Sequence, residues 1–141
     1  MDKRPISILI PYCVENDDTL VFLQKRDKDA KRLPGFFGFF GGGIEGGETP
    51  EEGLKREIQE ELGLDASGAN FFSKYEFYGS IKHIFTLQVD KNFGDRVVLG
   101  EGEYGKFFTE SEVVGEKLLI DEDKLVLKNF FGKVKRGNPF S

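Results

Sequence analysis

Residues Gly41 to Leu64 read GGGIEGGETPEEGLKREIQEELGL. The stretch begins as a run of glycines and ends as a run of glutamates. Thr49 is a good N-cap, Pro50 suits the first helical position, and Glu52 stands three residues after the cap. Gly63 supplies a C-terminal stop. A helix over Thr49 to Leu62 follows. At about 100° per residue, Leu54, Ile58 and Leu62 form one apolar stripe. Glu57, Glu60 and Glu61 gather within about a third of the circumference, beside that stripe rather than opposite it. Like charges so placed repel by about 0.2–0.5 kcal/mol per pair. A divalent cation among them would reverse the sign, and a hard ion such as magnesium suits oxygen donors. Gly53 leaves a side-chain-free spot on that side, either room for a ligand or a glycine tolerated near a helix start.

Outward from this helix, the chain alternates strand and helix signals. Ile6 to Val14 and Thr19 to Gln24 are apolar and β-branched, with the turn signal Glu-Asn-Asp-Asp between them, so they pair as a hairpin. Lys25 to Arg32 is a polar loop, continued by Pro34 and Gly35. Phe36 to Phe40 is aromatic, and the glycine loop follows. Phe71 to Tyr78 and Ile81 to Val89 read as two strands around Gly79-Ser80, with a shorter strand at Val97 to Leu99. Gly100 to Glu103 is a loop. Thr109 with Glu112 repeats the capping-box pattern and opens a short helix. A last helix runs from Asp121 to about Val134, with Leu125, Val126, Asn129, Phe130 and Val134 at helical spacing. Residues 135–141 form a loose tail. Interleaved strands and helices without a linker or repeat make one α/β domain over residues 1–141.

Composition narrows the function classes. The 141 residues suffice for one domain with a real core. Hydrophobic residues are 38% and charged residues 32%, as in soluble globular proteins. No apolar run approaches the roughly 20 residues of a membrane helix, and the N-terminus lacks a signal-peptide cleavage pattern. The single cysteine, Cys13, excludes an internal disulfide and a cysteine-built zinc site, and a cytoplasmic setting is expected. A net charge of −5 argues against long nucleic acid, but not against a small phosphate ligand held through a cation. Cys13 reads as core, and His83, the one histidine, as structural or surface.

The order Gly42, five residues, Glu48, seven residues, then Arg56-Glu57-Ile58-Gln59-Glu60-Glu61-Leu62-Gly63-Leu64 resembles the signature of the Nudix hydrolases (MutT-like), G-x5-E-x7-R-E-U-x-E-E-x-G-U with U aliphatic. Every fixed position matches. The resemblance implies the Nudix fold, a mixed, partly open β-sheet sandwiched between α-helices. It implies a magnesium- or manganese-dependent enzyme that cleaves a pyrophosphate bond in a nucleoside diphosphate linked to another group. The substrate would be a small nucleotide, a nucleoside triphosphate or a nucleotide sugar. By position, Glu57, Glu60, Glu61 and the Gly42 carbonyl would hold the metal. Arg56 would orient a catalytic glutamate, and Glu48 would brace the loop against the helix or hold a water at the metal. The base would be Glu57, or a glutamate of the later loop, Glu101 before Glu103. Arg26, at the end of the second strand, is a phosphate-contact candidate. The proline-and-tryptophan pattern that often precedes the signature is altered here, with Phe37 and Phe40 in the tryptophan and second-proline places. A non-catalytic nucleotide-binding module on the same fold is the alternative. Members are often dimers, so a homodimer stays open.

Overall fold

The β-branched N-terminal run builds the central strand of the sheet. In a computed structural model, which describes residues 3–97, 99 and 102–135, β1 spans Arg4–Glu15 and β2 spans Asp18–Lys25. They form the expected hairpin, closed by Asn16 and Asp17, both at positive φ (52° and 69°). Two left-handed residues match the right-handed strand twist, and Asn and Asp tolerate that region best among residues with a Cβ. β3 (Phe37–Gly38) and β4 (Phe40–Gly43) follow, then α1 (Pro50–Leu62). The hairpin of β5 (Asn70–Phe77) and β6 (Ser80–Gln88) comes next, then the helical turn α2 (Phe93–Arg96). β7 (Tyr104–Phe108), α3 (Glu110–Gly115) and α4 (Asp121–Lys135) complete the order.

The sheet runs β3-β2-β1-β6-β5, with β4 also pairing with β1 and β7 with β2. Only the β1–β6 pairing is parallel, so the sheet is mixed. Alternation along β1 sorts its side chains to two faces. Ile8, Ile10 and Tyr12 pack with Val126, Leu127 and Phe130 of α4. Leu9, between them, packs with Leu54, Ile58 and Leu62 of α1. A sheet between helices, as expected, is therefore set by one strand with two apolar faces. Burying each large side chain from the α1 stripe is worth about 1.5–3 kcal/mol.

Several details differ from the sequence-based expectation. Gly41–Gly43 is not a loop but strand, paired with Ile6, Ser7 and Ile8. Glycine hides strands from pattern reading because it shows no side-chain alternation. β7 was not anticipated either. Val98, the middle of the expected Val97–Leu99 strand, lies outside the described residues, and no strand is assigned at Val97 or Leu99. The buried stripe of α4 is Asp123, Val126, Leu127, Phe130 and Phe131, while Leu125 is exposed. Asn129 is exposed and donates its amide N–H to the Tyr75 hydroxyl. Lys135 belongs to α4 rather than to a tail, and residues 136–141 lie outside the described residues. Among the described residues no helix is long and apolar enough to cross a membrane.

Candidate active site at the seam of the glycine strand and the glutamate helix

The start of α1 is fixed by two reciprocal bonds. The Thr49 hydroxyl accepts from the Glu52 N–H at 3.1 Å, and the Glu52 carboxylate accepts from the Thr49 N–H at 2.8 Å. The Ser7 hydroxyl donates to the Pro50 carbonyl at 2.7 Å, tying the helix start to β1. Gly63 ends the helix in the left-handed conformation (φ 63°). The carboxylates of α1 thus stand on an element held at both ends and along one face.

Arg56 organises the seam. Its Nε and Nη2 donate to the two oxygens of Glu48, at 2.8 and 3.0 Å. Nη1 donates to Glu57 at 2.9 Å, and Nη2 also donates to the Gly43 carbonyl at 3.0 Å. One planar guanidinium therefore joins the loop, the helix and β4, a task that suits arginine's fixed fork of donors. The bonds from Arg56, with the Glu45 N–H behind them, hold Glu48 down to about pKa 2. The same bonds from Glu48 and Glu57 push the Arg56 pKa further up.

The glycines explain how closely the helix approaches. A Cβ on Gly42 would lie 2.6 Å from the Glu57 carboxyl carbon, so Glu57 rests directly against the Gly42 backbone. Glu61 accepts the Gly41 N–H at 3.1 Å. Glu60, one turn on from Glu57, has a side chain 62% exposed. Glu57 and Glu61 thus lie on β4, and Glu60 faces solvent beside them. Gly53 leaves room for the loop, not a ligand: a Cβ there would meet Ile44 at 3.3 Å and Glu48 at 3.4 Å.

No three carboxylate, imidazole or thiol groups converge on one point among the described residues. The donor chemistry nevertheless fits a hard divalent ion: three carboxylates on one helix edge, beside backbone that a side chain would otherwise cover.

β4 also walls a cleft of about 560 Å³. Ile6, Ile8 and Phe39 supply apolar surface, and Arg4, Arg26 and Arg32 supply positive charge. Arg26 is thereby brought to the glycine strand, with its Nε buried and lacking a hydrogen-bond partner. Lys82 and Asp123, which sequence reasoning missed, meet in the cleft wall at 3.4 Å, with Glu122 at 3.2 Å from the same ammonium. Burial pushes the Asp123 carboxyl pKa up, and Lys82 opposes it. A carboxylate on the apolar stripe of α4 was the signal available for Asp123. Glu101 lies outside the described residues. Glu103 is exposed and donates its N–H to the Lys25 carbonyl. His83 sits mid-strand in β6, opposite Ser7 and Lys74; burial and Lys74 hold its pKa low, and Glu51 opposes them. Cys13 is buried, as expected of a core residue.

The chain is similar to known proteins. The 8-oxo-dGTP diphosphatase of Escherichia coli (strain K12) is 37% identical over 84 residues, covering 60% of this chain and 62% of that protein. The dihydroneopterin triphosphate diphosphatase of the same organism is 27% identical over 97 residues, covering 64% of this chain and 61% of that one. The chain therefore aligns with less than two thirds of these relatives' length. A MutT/nudix family protein from Listeria innocua superposes with a TM-score of 0.74 at 18% identity, over 96% of this chain and 97% of that structure. At that identity the likeness is one of fold. The NUDIX domain family model matches residues 3–130, nearly every described element from β1 into α4, and the chain belongs to the Nudix family.

Proposed function

We propose that this protein hydrolyses a pyrophosphate bond in a nucleoside diphosphate linked to another group, with a nucleoside triphosphate as the favoured substrate. The observation that carries this reading is the Arg56 junction, which holds Glu48, Glu57 and the Gly43 carbonyl together on a rigid seam. The relatives named as diphosphatases of triphosphate compounds support the choice of substrate.

Glu57, Glu60 and Glu61, with the Gly42 carbonyl, would hold magnesium or manganese. When bound, the ion would neutralise phosphate oxygens and lower the pKa of a water. In the reaction a water oxygen forms a bond to phosphorus, the bridging P–O bond breaks, and the proton passes to a carboxylate base. Glu57 is our choice of base, because the Arg56 guanidinium and the Gly42 backbone fix its position. Glu101 is the second choice. Arg56 and Glu48 act by positioning, which limits the motion of Glu57 relative to β4. Arg26, a residue of the cleft wall, would meet a phosphate from that side.

The test is hydrolysis across nucleoside triphosphates (canonical and oxidised), nucleotide sugars, ADP-ribose and dinucleoside polyphosphates. It runs with magnesium, with manganese and with chelator, and chromatography identifies the products. A metal-dependent nucleoside monophosphate and pyrophosphate pair is expected. Glu57→Gln and Glu60→Gln each remove most of the turnover in a folded protein. Nucleotide binding without turnover would replace this reading with a binding module, and full activity in both variants would overturn the assignment of the carboxylates.

A further inference from the structure

Leu33 has φ +48°, in the left-handed region, although it carries a branched side chain. Such a backbone is unfavourable for any residue with a Cβ and persists only where the surroundings fix it. The surrounding loop does fix it. The Phe36 N–H donates to the Leu33 carbonyl at 3.1 Å, and the Ala30 and Gly35 N–H groups both reach the Asp27 carbonyl. Nearby Gly35 already supplies positive φ (76°) with open space at its Cβ position, so a glycine at 33 would have been the easier choice. What the leucine adds is its side chain, which lines the cleft beside β4 and belongs to neither core cluster.

Tyr78 presents the second unexplained group in the same cleft. It is 94% exposed, so no other part of the described chain covers its ring. The backbone of its turn is nonetheless held. The β5–β6 register closes the turn with Phe77 opposite Ser80, Gly79 takes positive φ, and the Arg4 N–H donates to the Gly79 carbonyl at 3.1 Å. Two apolar groups from separate loops, each held by backbone bonds and neither used by the core, therefore border one cleft. Polar side chains, Lys82 and Asp123, line the same cleft. A planar heterocycle needs apolar surface on its faces and polar groups at its edge.

We infer that Leu33 and Tyr78 are specificity residues that grip the planar base of the nucleotide in the cleft beside the glycine strand. The inference rests on the nucleotide reading above.

The test uses the full chain and the variants Leu33→Gly, Tyr78→Ala and Tyr78→Phe. Isothermal titration with chelator present measures binding of the four nucleoside monophosphates and of ribose 5-phosphate, which lacks the base. The parent protein should prefer at least one nucleoside monophosphate over ribose 5-phosphate. Tyr78→Ala and Leu33→Gly should weaken that nucleotide by about 5- to 100-fold, the range that base stacking spans. Ribose 5-phosphate binding should not change, and Tyr78→Phe should bind as the parent does. Leu33→Gly removes the backbone strain, so its thermal midpoint should be at or above that of the parent. This separates lost recognition from lost folding. Equal losses for both ligands, or no loss for either, would overturn the inference. A parent that hydrolyses nucleotides while both variants keep their base preference sinks the inference alone. A parent that neither binds nor hydrolyses any nucleotide sinks it together with the reading it rests on.

Discussion

Arg56 meets Glu48 edge-on, with Nε 2.8 Å from one carboxylate oxygen and Nη2 3.0 Å from the other. The remaining nitrogen, Nη1, is left for Glu57 at 2.9 Å. This division of donors requires a planar fork. Lysine would keep the charge but could not meet Glu48 twice, Glu57 and the Gly43 carbonyl at once. Arg56→Lys should therefore fold normally and release Glu57 from its place. A loss of about 10²-fold in kcat is expected, the scale of an approximately 1 Å misplacement, with KM little changed. Steady-state kinetics and circular dichroism on the same preparation check both halves.

The same contact fixes an acid response. Glu48 ordinarily titrates near 4.5 and is held at about 2 in the folded protein. A carboxyl whose pKa is depressed by folding stabilises the native state above its unfolded pKa, and that contribution disappears as pH falls through the folded value. The Glu48 share of stability should thus be present above about pH 4.5 and fade towards pH 2. Glu48→Gln should be less stable than the parent at neutral pH, and the two should converge near pH 2. Denaturant midpoints measured across that range test it; a constant difference down to pH 2 would count against the Arg56 contact as the cause.

The three glycines of β4 separate function from folding. The nearest atoms a Cβ at Gly42 would meet are those of the Glu57 carboxylate, the end of a side chain that can swing away. Gly42→Ala should keep the fold and lose activity by about 10-fold or more, because Glu57 is displaced. At Gly41, φ is +131° and a Cβ would lie 2.0 Å from the Ser7 carbonyl oxygen, which is strand backbone and cannot yield. Gly41→Ala should cost several kcal/mol, well above the roughly 1–2 kcal/mol of left-handed strain alone. Thermal melts paired with activity assays distinguish the two outcomes.

These glycines also show what the sequence could and could not reveal. Thr49, Glu52 and Gly63 act through bonds spanning three or four residues and Pro50 through its fixed φ, so α1 and its ends were legible from local chemistry. The fixed spacing from Gly42 to Gly63 made the family legible as well. β4 was not legible, because Gly41–Gly43 carries no side-chain alternation and its strand is defined by its pairing to Ile6–Ile8. Lys82 and Asp123 lie far apart in sequence and meet only when α4 packs on the sheet beside β6. Local spacing leaves Gly53 open between room for a ligand and a tolerated helix-start glycine, while in the fold its bare face accommodates Ile44 and Glu48. Long-range pairing escapes a reading built on neighbours along the chain.

The carboxylates of α1 give the last prediction, on metal-linked stability. Glu57 and Glu61 lie against β4 and Glu60 stands one turn on, so like charge accumulates on one helix edge with Arg56 as the nearest counter-charge. A divalent ion bound only by the folded state should stabilise it, by about 2.7 kcal/mol at 100 times its dissociation constant. Magnesium or manganese should therefore raise the thermal midpoint in a concentration-dependent way, and chelator should reverse the rise. Glu57→Gln and Glu60→Gln each remove a charged donor and should reduce the shift. The acidic surface elsewhere provides the control: Glu76→Gln changes an exposed carboxylate of β5 that pairs with Lys3 and should leave the shift intact. Equal shifts in all three variants would mean that the ion stabilises through general screening, and the helix edge would lose its assignment as the metal site.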